Sequence, residues 1–316
     1  MPHYHAFGLK LDSQIELPEL QRGTGPGDVV IRRSDRVPAS DDEGLQAGWL
    51  GGGGERLVLR LEDMVFTIAD GRSIEIAAPA GVRDNDIRVW LLGTVMAAVL
   101  HQRGYFCLHA NMIRLPGGGV AAFCGQSGSG KSTMAGLLDQ AEFDVLGDDL
   151  CAVRIDLAGR PMVYRGIPRL KLWEASLALL DRSSDKLEKV ASDLDKFHLP
   201  LASADALGEL APLRLERLYM LDRREEAEGA LIVAGAGVAA AGIVLDNSFR
   251  WTIGQSVAGR ESRVQFDQAL QIARGAAVFR LARRWGEDYL RAEAGEVAAH
   301  LSAPLTNSAA VGGAGS

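Results

Sequence analysis

Short runs of alternating apolar and polar residues mark the first 85 positions. Leu57-Val58-Leu59-Arg60-Leu61 and Met64-Val65-Phe66-Thr67-Ile68 have the two-residue period of strands with one buried face. Asp70-Gly71 supplies a turn between the second run and Ile74-Glu75-Ile76. The pattern predicts a β-rich region over 1–85. Gly51–Gly54, four successive glycines with no helix signal after them, reads as a flexible loop.

The period lengthens at Asn85. Ile87, Trp90, Leu91, Val95, Val99 and Leu100 recur at helical spacing, with Asp86 as a cap and an end near Gly104. An apolar strand Tyr105–Ile113, a turn over Pro116–Gly119 and a second apolar strand Val120–Cys124 follow. Beyond these lie a helix from Ser132 to about Leu138, a strand Phe143–Leu146 and another Leu150–Ile155. Leu172–Leu180 and Leu187–Leu194 read as helices, Arg217–Leu221 and Ala276–Leu281 as strands, and Glu287–His300 as a helix. Gly229–Leu245 is uncharged, but it is shorter than the ~20 strongly apolar residues that span a bilayer and consists mostly of Gly, Ala and Val. It reads as buried strand and helix pieces. Ser302–Ser316 is aperiodic and reads as a frayed tail. The expected organisation is a β-rich region 1–85 that recognises substrate or braces the core, an α/β catalytic domain 86–301, and a flexible tail 302–316.

The chemistry is concentrated between two of these elements. Gly125-Gln126-Ser127-Gly128-Ser129-Gly130-Lys131-Ser132 satisfies G-x-x-x-x-G-K-[ST], with an apolar strand before it and a helix after it. Glycines let successive backbone N–H groups turn inward around phosphate oxygens, and the following helix adds its positive end. The expected nucleotide contacts run through Thr133, with Lys131 on the β/γ-phosphates and the Ser132 hydroxyl on Mg²⁺. Asp148-Asp149 closes the strand after the helix, 17 positions beyond Lys131 (148 − 131). Adjacent carboxylates at the end of what reads as a parallel strand call for a cation or a basic partner. The pair is therefore expected to hold magnesium opposite the loop. The cofactors implied are ATP and Mg²⁺.

Composition narrows the partners. Of 316 residues, 47% are hydrophobic and 24% charged, which fits a soluble globular protein with ample core. The net charge of −7 lacks the basic excess of a nucleic-acid binder. No signal peptide or spanning segment is seen, so no membrane role and a cytoplasmic location are expected. Cys107, Cys124 and Cys151 lie in apolar runs without metal-ligand spacing, as buried free thiols would. His3 and His5 are given no metal role.

Cys107-Leu108-His109-Ala110-Asn111, then GGGVAAFCGQSGSGKST, then FDVLGDDLCAV resembles the catalytic domain of HPr kinase/phosphorylase, whose fold is shared with the phosphoenolpyruvate carboxykinases. The resemblance covers about Leu91 to Ile155. With Arg165-Gly166-Ile167-Pro168-Arg169-Leu170-Lys171-Leu172-Trp173 it looks closer still to the HPr-kinase-like enzymes that phosphorylate the C-terminal serine of lasso-peptide precursors. The resemblance implies an α/β P-loop serine kinase. It makes Asp148 the candidate general base and Asp149 a magnesium holder, with the opposite allocation left open. His109 would orient or polarise one of those carboxylates. No equivalent of the family's phosphorolysis region is found, which favours kinase-only chemistry.

In the basic cluster Arg165, Arg169 and Lys171, Arg169 is the foremost candidate, for the γ-phosphate or for a peptide carboxylate. Lys196 reads as a solvated surface lysine, and Arg250 ranks lower as a candidate. The implied partner is a peptide or small protein bearing the acceptor serine. HPr kinases form hexamers, so a homo-oligomer stays open. Three alternatives remain: a true HPr(Ser) kinase, a small-molecule kinase, and a nucleotide-binding regulatory module.

Overall fold

The computed structural model describes residues 1–35, 50–190, 194–201, 211–224, 231–259, 263–284 and 286–305. Residues 191–193 of the expected helix 187–194, residues 229–230 of the uncharged segment and residues 306–316 of the expected tail lie outside them.

The alternating runs near the N-terminus pair into an eight-stranded sheet. Its order is Gln21–Arg22, His3–Ala6, Leu9–Ser13, Val29–Arg33, Ser73–Ala77, Met64–Ala69, Arg56–Leu61, Leu50–Gly53. The loop expected at Gly51–Gly54 is therefore corrected. Leu50–Gly53 is a strand paired antiparallel to Arg56–Leu59, because a backbone ladder needs no side chains. Leu57, Leu59, Phe66 and Ile68 pack into one core with Ile87, Leu91, Val95 and Val99 of the following helical segment. That segment runs from Asp84 through Gln102, with a π-helical turn at Leu91–Val95. Asp86 does not cap it; its carboxylate accepts from the Arg83 guanidinium one turn back.

The second sheet, nine-stranded, carries the glycine-rich loop. Its order is Val145–Gly147, Ala110–Arg114, Val120–Cys124, Leu213–Arg224, Pro161–Val163, Cys151–Ile155, Phe106–Leu108. Ala277–Arg284 and Ile232–Ala234 extend it from the long strand Leu213–Arg224. Val120–Cys124, Leu213–Arg224 and Ala277–Arg284 run parallel, so the loop at Gly125 and the end of the arginine-bearing strand share one sheet edge. Ligands of such sheets sit outside the carboxyl ends of the parallel strands.

Several expected elements are redrawn. Tyr105–Ile113 is two strands, Phe106–Leu108 and Ala110–Arg114, which pair with different neighbours and break at His109. Val145–Gly147, which leads to the acidic pair, runs antiparallel to Ala110–Arg114, not parallel as its sequence suggested. Arg169–Trp173 is a strand, and the helix begins only at Glu174. The expected helix starting at Leu187 is absent over 187–190. There Val190 N–H donates to the Lys196 carbonyl, and His198 N–H donates to that of Glu188. Gly229–Leu245 divides, over its described part, into the strand Ile232–Ala234 and the helix Gly237–Asp246. All three cysteines are free and buried. Among the described residues no helix is long and apolar enough to cross a membrane.

Candidate functional site

Geometry at the loop follows from backbone freedom. Gly130 caps the helix Lys131–Gln140 in left-handed backbone (φ 83°), and a Cβ there would stand 3.0 Å from the Arg283 guanidinium. Only glycine takes that conformation without strain. Lys131 reaches back across the loop, and its Nζ donates to the carbonyls of Gly125 (2.8 Å) and Gln126 (3.1 Å). Burial disfavours its charge, and Asp149 and Asp148 partly restore it. A phosphate would give this ammonium a better partner than two carbonyls.

The two carboxylates take different positions. Asp148 is buried and accepts from the Ser132 hydroxyl (3.2 Å), from Asp149 N–H (2.9 Å) and from Lys171 N–H (2.7 Å). Burial and the neighbouring carboxylate raise its pKa above the ordinary carboxylate range. Asp149 adopts left-handed backbone (φ 65°) and turns its side chain to Lys171, whose Nζ lies 2.8 Å away. Burial opposes its charge, but Lys171, together with His109 and Lys196, outweighs that and holds its carboxyl below the ordinary range.

His109 sits at the break between its two strands and is held on three sides. Its N–H donates to the Asn247 carbonyl, its ring stacks on Phe249, and Nδ1 is 3.0 Å from the Asp149 carbonyl. A carbonyl only accepts, so Nδ1 carries the proton and Nε2 keeps its lone pair. Burial, then Lys131, lowers its pKa, which keeps the ring neutral near pH 7. The ring therefore orients Asp149 through its backbone; no hydrogen bond joins it to either carboxylate.

A cavity of ≈ 510 Å³ opens in front of these groups, within the size range of small-molecule sites. His109, Lys131, Ser132, Asp149, Lys171 and Arg283 line its polar part, together with Ser127, Gly128, Gly130, Thr133 and Lys196. Gly125, Gln126 and Ser129 complete the loop without lining the cavity. The Thr133 hydroxyl is engaged with that of Ser176 (3.0 Å). Asp148 and Arg169 face a separate small cavity of ≈ 30 Å³, whose walls also include Asp149, Lys171 and Phe249.

Arg169 is set back from the loop. Its guanidinium is buried and ion-paired with Glu19 (3.0 Å), which also binds Arg88 (2.8 Å). The structure instead brings two other cations to the cavity. Lys196, read from sequence as a surface lysine, lines it. Arg283, not singled out in the sequence, is buried with Nη1 3.4 Å from the Ser129 carbonyl. The available signal was an arginine on the same strand face as buried Leu281, at the carboxyl end of a strand.

Ser132 and Asp148 are hard oxygen ligands, and with Asp149 beside them they suit a magnesium ion. Among the described residues no group of three or more His, Cys, Asp or Glu forms a self-sufficient metal site. The remaining ligands would come from phosphate and water.

No protein-family model matches the chain, and no curated protein matches it. Among solved structures, the Hpr(Ser) kinase/phosphatase from Coxiella burnetii aligns over 61% of this chain and 95% of its own, at 11% identity and a TM-score of 0.31. A likeness of that extent carries no argument about chemistry. The functional reading rests on the site itself.

Proposed function

We propose that this protein is a Mg-ATP-dependent kinase of the HPr-kinase-like P-loop type, transferring the γ-phosphoryl group to the serine hydroxyl of a peptide or small protein. The observation that carries this reading is the meeting of the Ser132 hydroxyl with the Asp148 carboxylate, directly behind Lys131 in a glycine-rich loop. P-loop phosphotransferases hold their nucleotide-bound magnesium with such a hydroxyl–carboxylate pair.

The geometry favours one allocation of the two carboxylates. Asp148, its carboxylate against the Ser132 hydroxyl, would hold the magnesium, which would supply positive charge to the phosphates. Asp149 faces the cavity and would accept the proton of the acceptor hydroxyl. In a loose transition state that hydroxyl becomes acidic only as its bond to phosphorus forms, so a carboxylate of low basicity is adequate. Lys131, Arg283 and Lys171 supply positive charge around the transferred group. Neutral His109 holds the Asp149 backbone through its carbonyl. The acceptor that best fits the sequence resemblance is the C-terminal serine of a lasso-type precursor.

The test is to incubate the protein with Mg-ATP and a peptide ending in serine, taken from a gene next to its own, and to weigh the peptide. A gain of one phosphoryl group, lost with Lys131→Ala and with serine replaced by alanine in the peptide, is the expected result. No gain on that peptide, on HPr, on free serine or on a sugar, with ATP still bound, would overturn the kinase reading in favour of a nucleotide-binding regulatory module.

A further inference from the structure

The cavity has a second, apolar end. The strand Arg169–Trp173 alternates, so Trp173 lies on the same face as Lys171, two residues or about 6.6 Å farther along. Lys171 meets Asp149 there, whereas Trp173 stays 48% exposed while lining the cavity. A half-exposed tryptophan facing a cavity offers a large apolar surface, here overlaid in part by the Lys196 ammonium. Ala175 and Leu179 of the helix Glu174–Leu179, with Leu290 of the helix Glu287–Ser302, form the rest of this end.

This end adjoins the phosphate loop. The first turn of the helix after Lys131 is tied to the helix after Trp173 by the hydroxyls of Thr133 and Ser176. Lys196, the register partner of Trp173, places its ammonium 5.7 Å from the indole centroid. A nucleotide with phosphates on the loop would thus have an aromatic plane within reach of its base.

We propose that Trp173 is the platform on which the nucleotide base stacks, and that the base is held without its edge being read. This rests on the kinase reading above, since it presumes phosphates on the Lys131 loop. Stacking suits any base, because every base has a π face. Reading an edge requires directed polar groups, and sites that have them reject an analogue by factors of 10⁴–10⁵, whereas apolar pockets discriminate far less. Among the described side chains at this end, the hydroxyls of Ser176 and Thr133 engage each other and the Lys196 ammonium lies over the indole; a lysine is a point charge, not the paired donor and acceptor that read a base edge. GTP should therefore be accepted nearly as well as ATP.

The experiment is calorimetric titration of ATP, GTP and inorganic tripolyphosphate, each with magnesium, into the full-length protein and its Trp173→Ala and Trp173→Phe variants. Wild type should bind ATP and GTP within about tenfold of each other. Trp173→Ala should weaken both by roughly tenfold and leave tripolyphosphate unchanged, while Trp173→Phe stays close to wild type. ATP affinity unaffected by Trp173→Ala, or tripolyphosphate affinity lost in step with it, overturns the platform. GTP binding more than a hundredfold weaker than ATP overturns the unread edge. Wild type that binds none of the three overturns the kinase reading as well, whereas tripolyphosphate binding combined with tryptophan-independent ATP affinity overturns the platform alone.

Discussion

The Ser132 hydroxyl donates to Asp148, with Oγ 3.2 Å from one carboxylate oxygen and 3.4 Å from the other, while the next residue, Asp149, turns away to Lys171. The left-handed backbone at Asp149 makes this divergence. Two identical side chains, adjacent in sequence, thereby acquire different environments and separable roles.

Asp149→Asn is expected to lower turnover on the order of 10²-fold or more with nucleotide affinity nearly retained, as loss of a general base would. Asp148→Asn should instead weaken magnesium-dependent nucleotide binding roughly 10–100-fold. Steady-state kinetics beside calorimetric binding separates the two. The opposite pattern would restore Asp148 as the base.

Gly130→Ala is expected to destabilise the loop. Alanine at φ 83° costs about 1–2 kcal/mol, and its Cβ would press on the Arg283 guanidinium at 3.0 Å. Chemical denaturation should show this loss, and ATP affinity should fall with it. Gly128→Ala makes a useful contrast, since φ is similar there (82°) but no atom stands within 4 Å. It should show the strain without the clash.

Glu19→Gln tests the link between the N-terminal sheet and the acidic pair. Glu19 bridges the buried guanidinium groups of Arg88 and Arg169, and the more exposed Glu188 also reaches Arg88 (3.4 Å). Removing one member of a buried ion network leaves uncompensated charge and costs about 3–5 kcal/mol. Urea denaturation should report a loss of that order, whereas Arg83→Ala, at the exposed Asp86 pair, should change little.

His198 should make stability fall with acid. Burial, then Arg169 and Lys171, pushes its pKa down to about 3, against ~6.5 for an unperturbed histidine. Between those values the unfolded chain binds a proton that the fold refuses, so stability is complete above pH ~6.5 and declines as pH falls toward 3. His198→Leu removes this contribution, and among the described residues neither ring nitrogen has a hydrogen-bond partner. The difference in unfolding free energy between wild type and variant, followed from pH 7 to 4, should slope in that direction. A flat difference would place the proton elsewhere.

Much of the site was legible in the chain. The glycine-rich turn from Gly125 to Ser132 was readable from local chemistry, because the loop conformation depends on which residues lack a Cβ and the helix after it starts within the same segment. The strand Val120–Cys124 was readable for a similar reason: a fully buried strand is an unbroken apolar run. Ambiguity entered where two periods fit the same residues. Leu170 and Leu172 alternate as a strand requires, yet Leu172 with Leu177 and Leu180 also fits a helix. Pairing with Lys196–Pro200, distant in sequence, decided the matter over 169–173.

The sequence by itself determined the glycine-rich loop between strand and helix, the acidic pair that follows it, the buried free cysteines and the mixed α/β character, since each depends on residue type and short-range spacing. Only the tertiary structure decided which aspartate meets Ser132, that Arg283 closes on Gly130, that Arg169 is held by Glu19, and that Trp173 faces the cavity. Those outcomes depend on strand order, chain direction and one left-handed residue. They join positions up to 153 apart, and no local pattern encodes which distant backbone a strand will pair with.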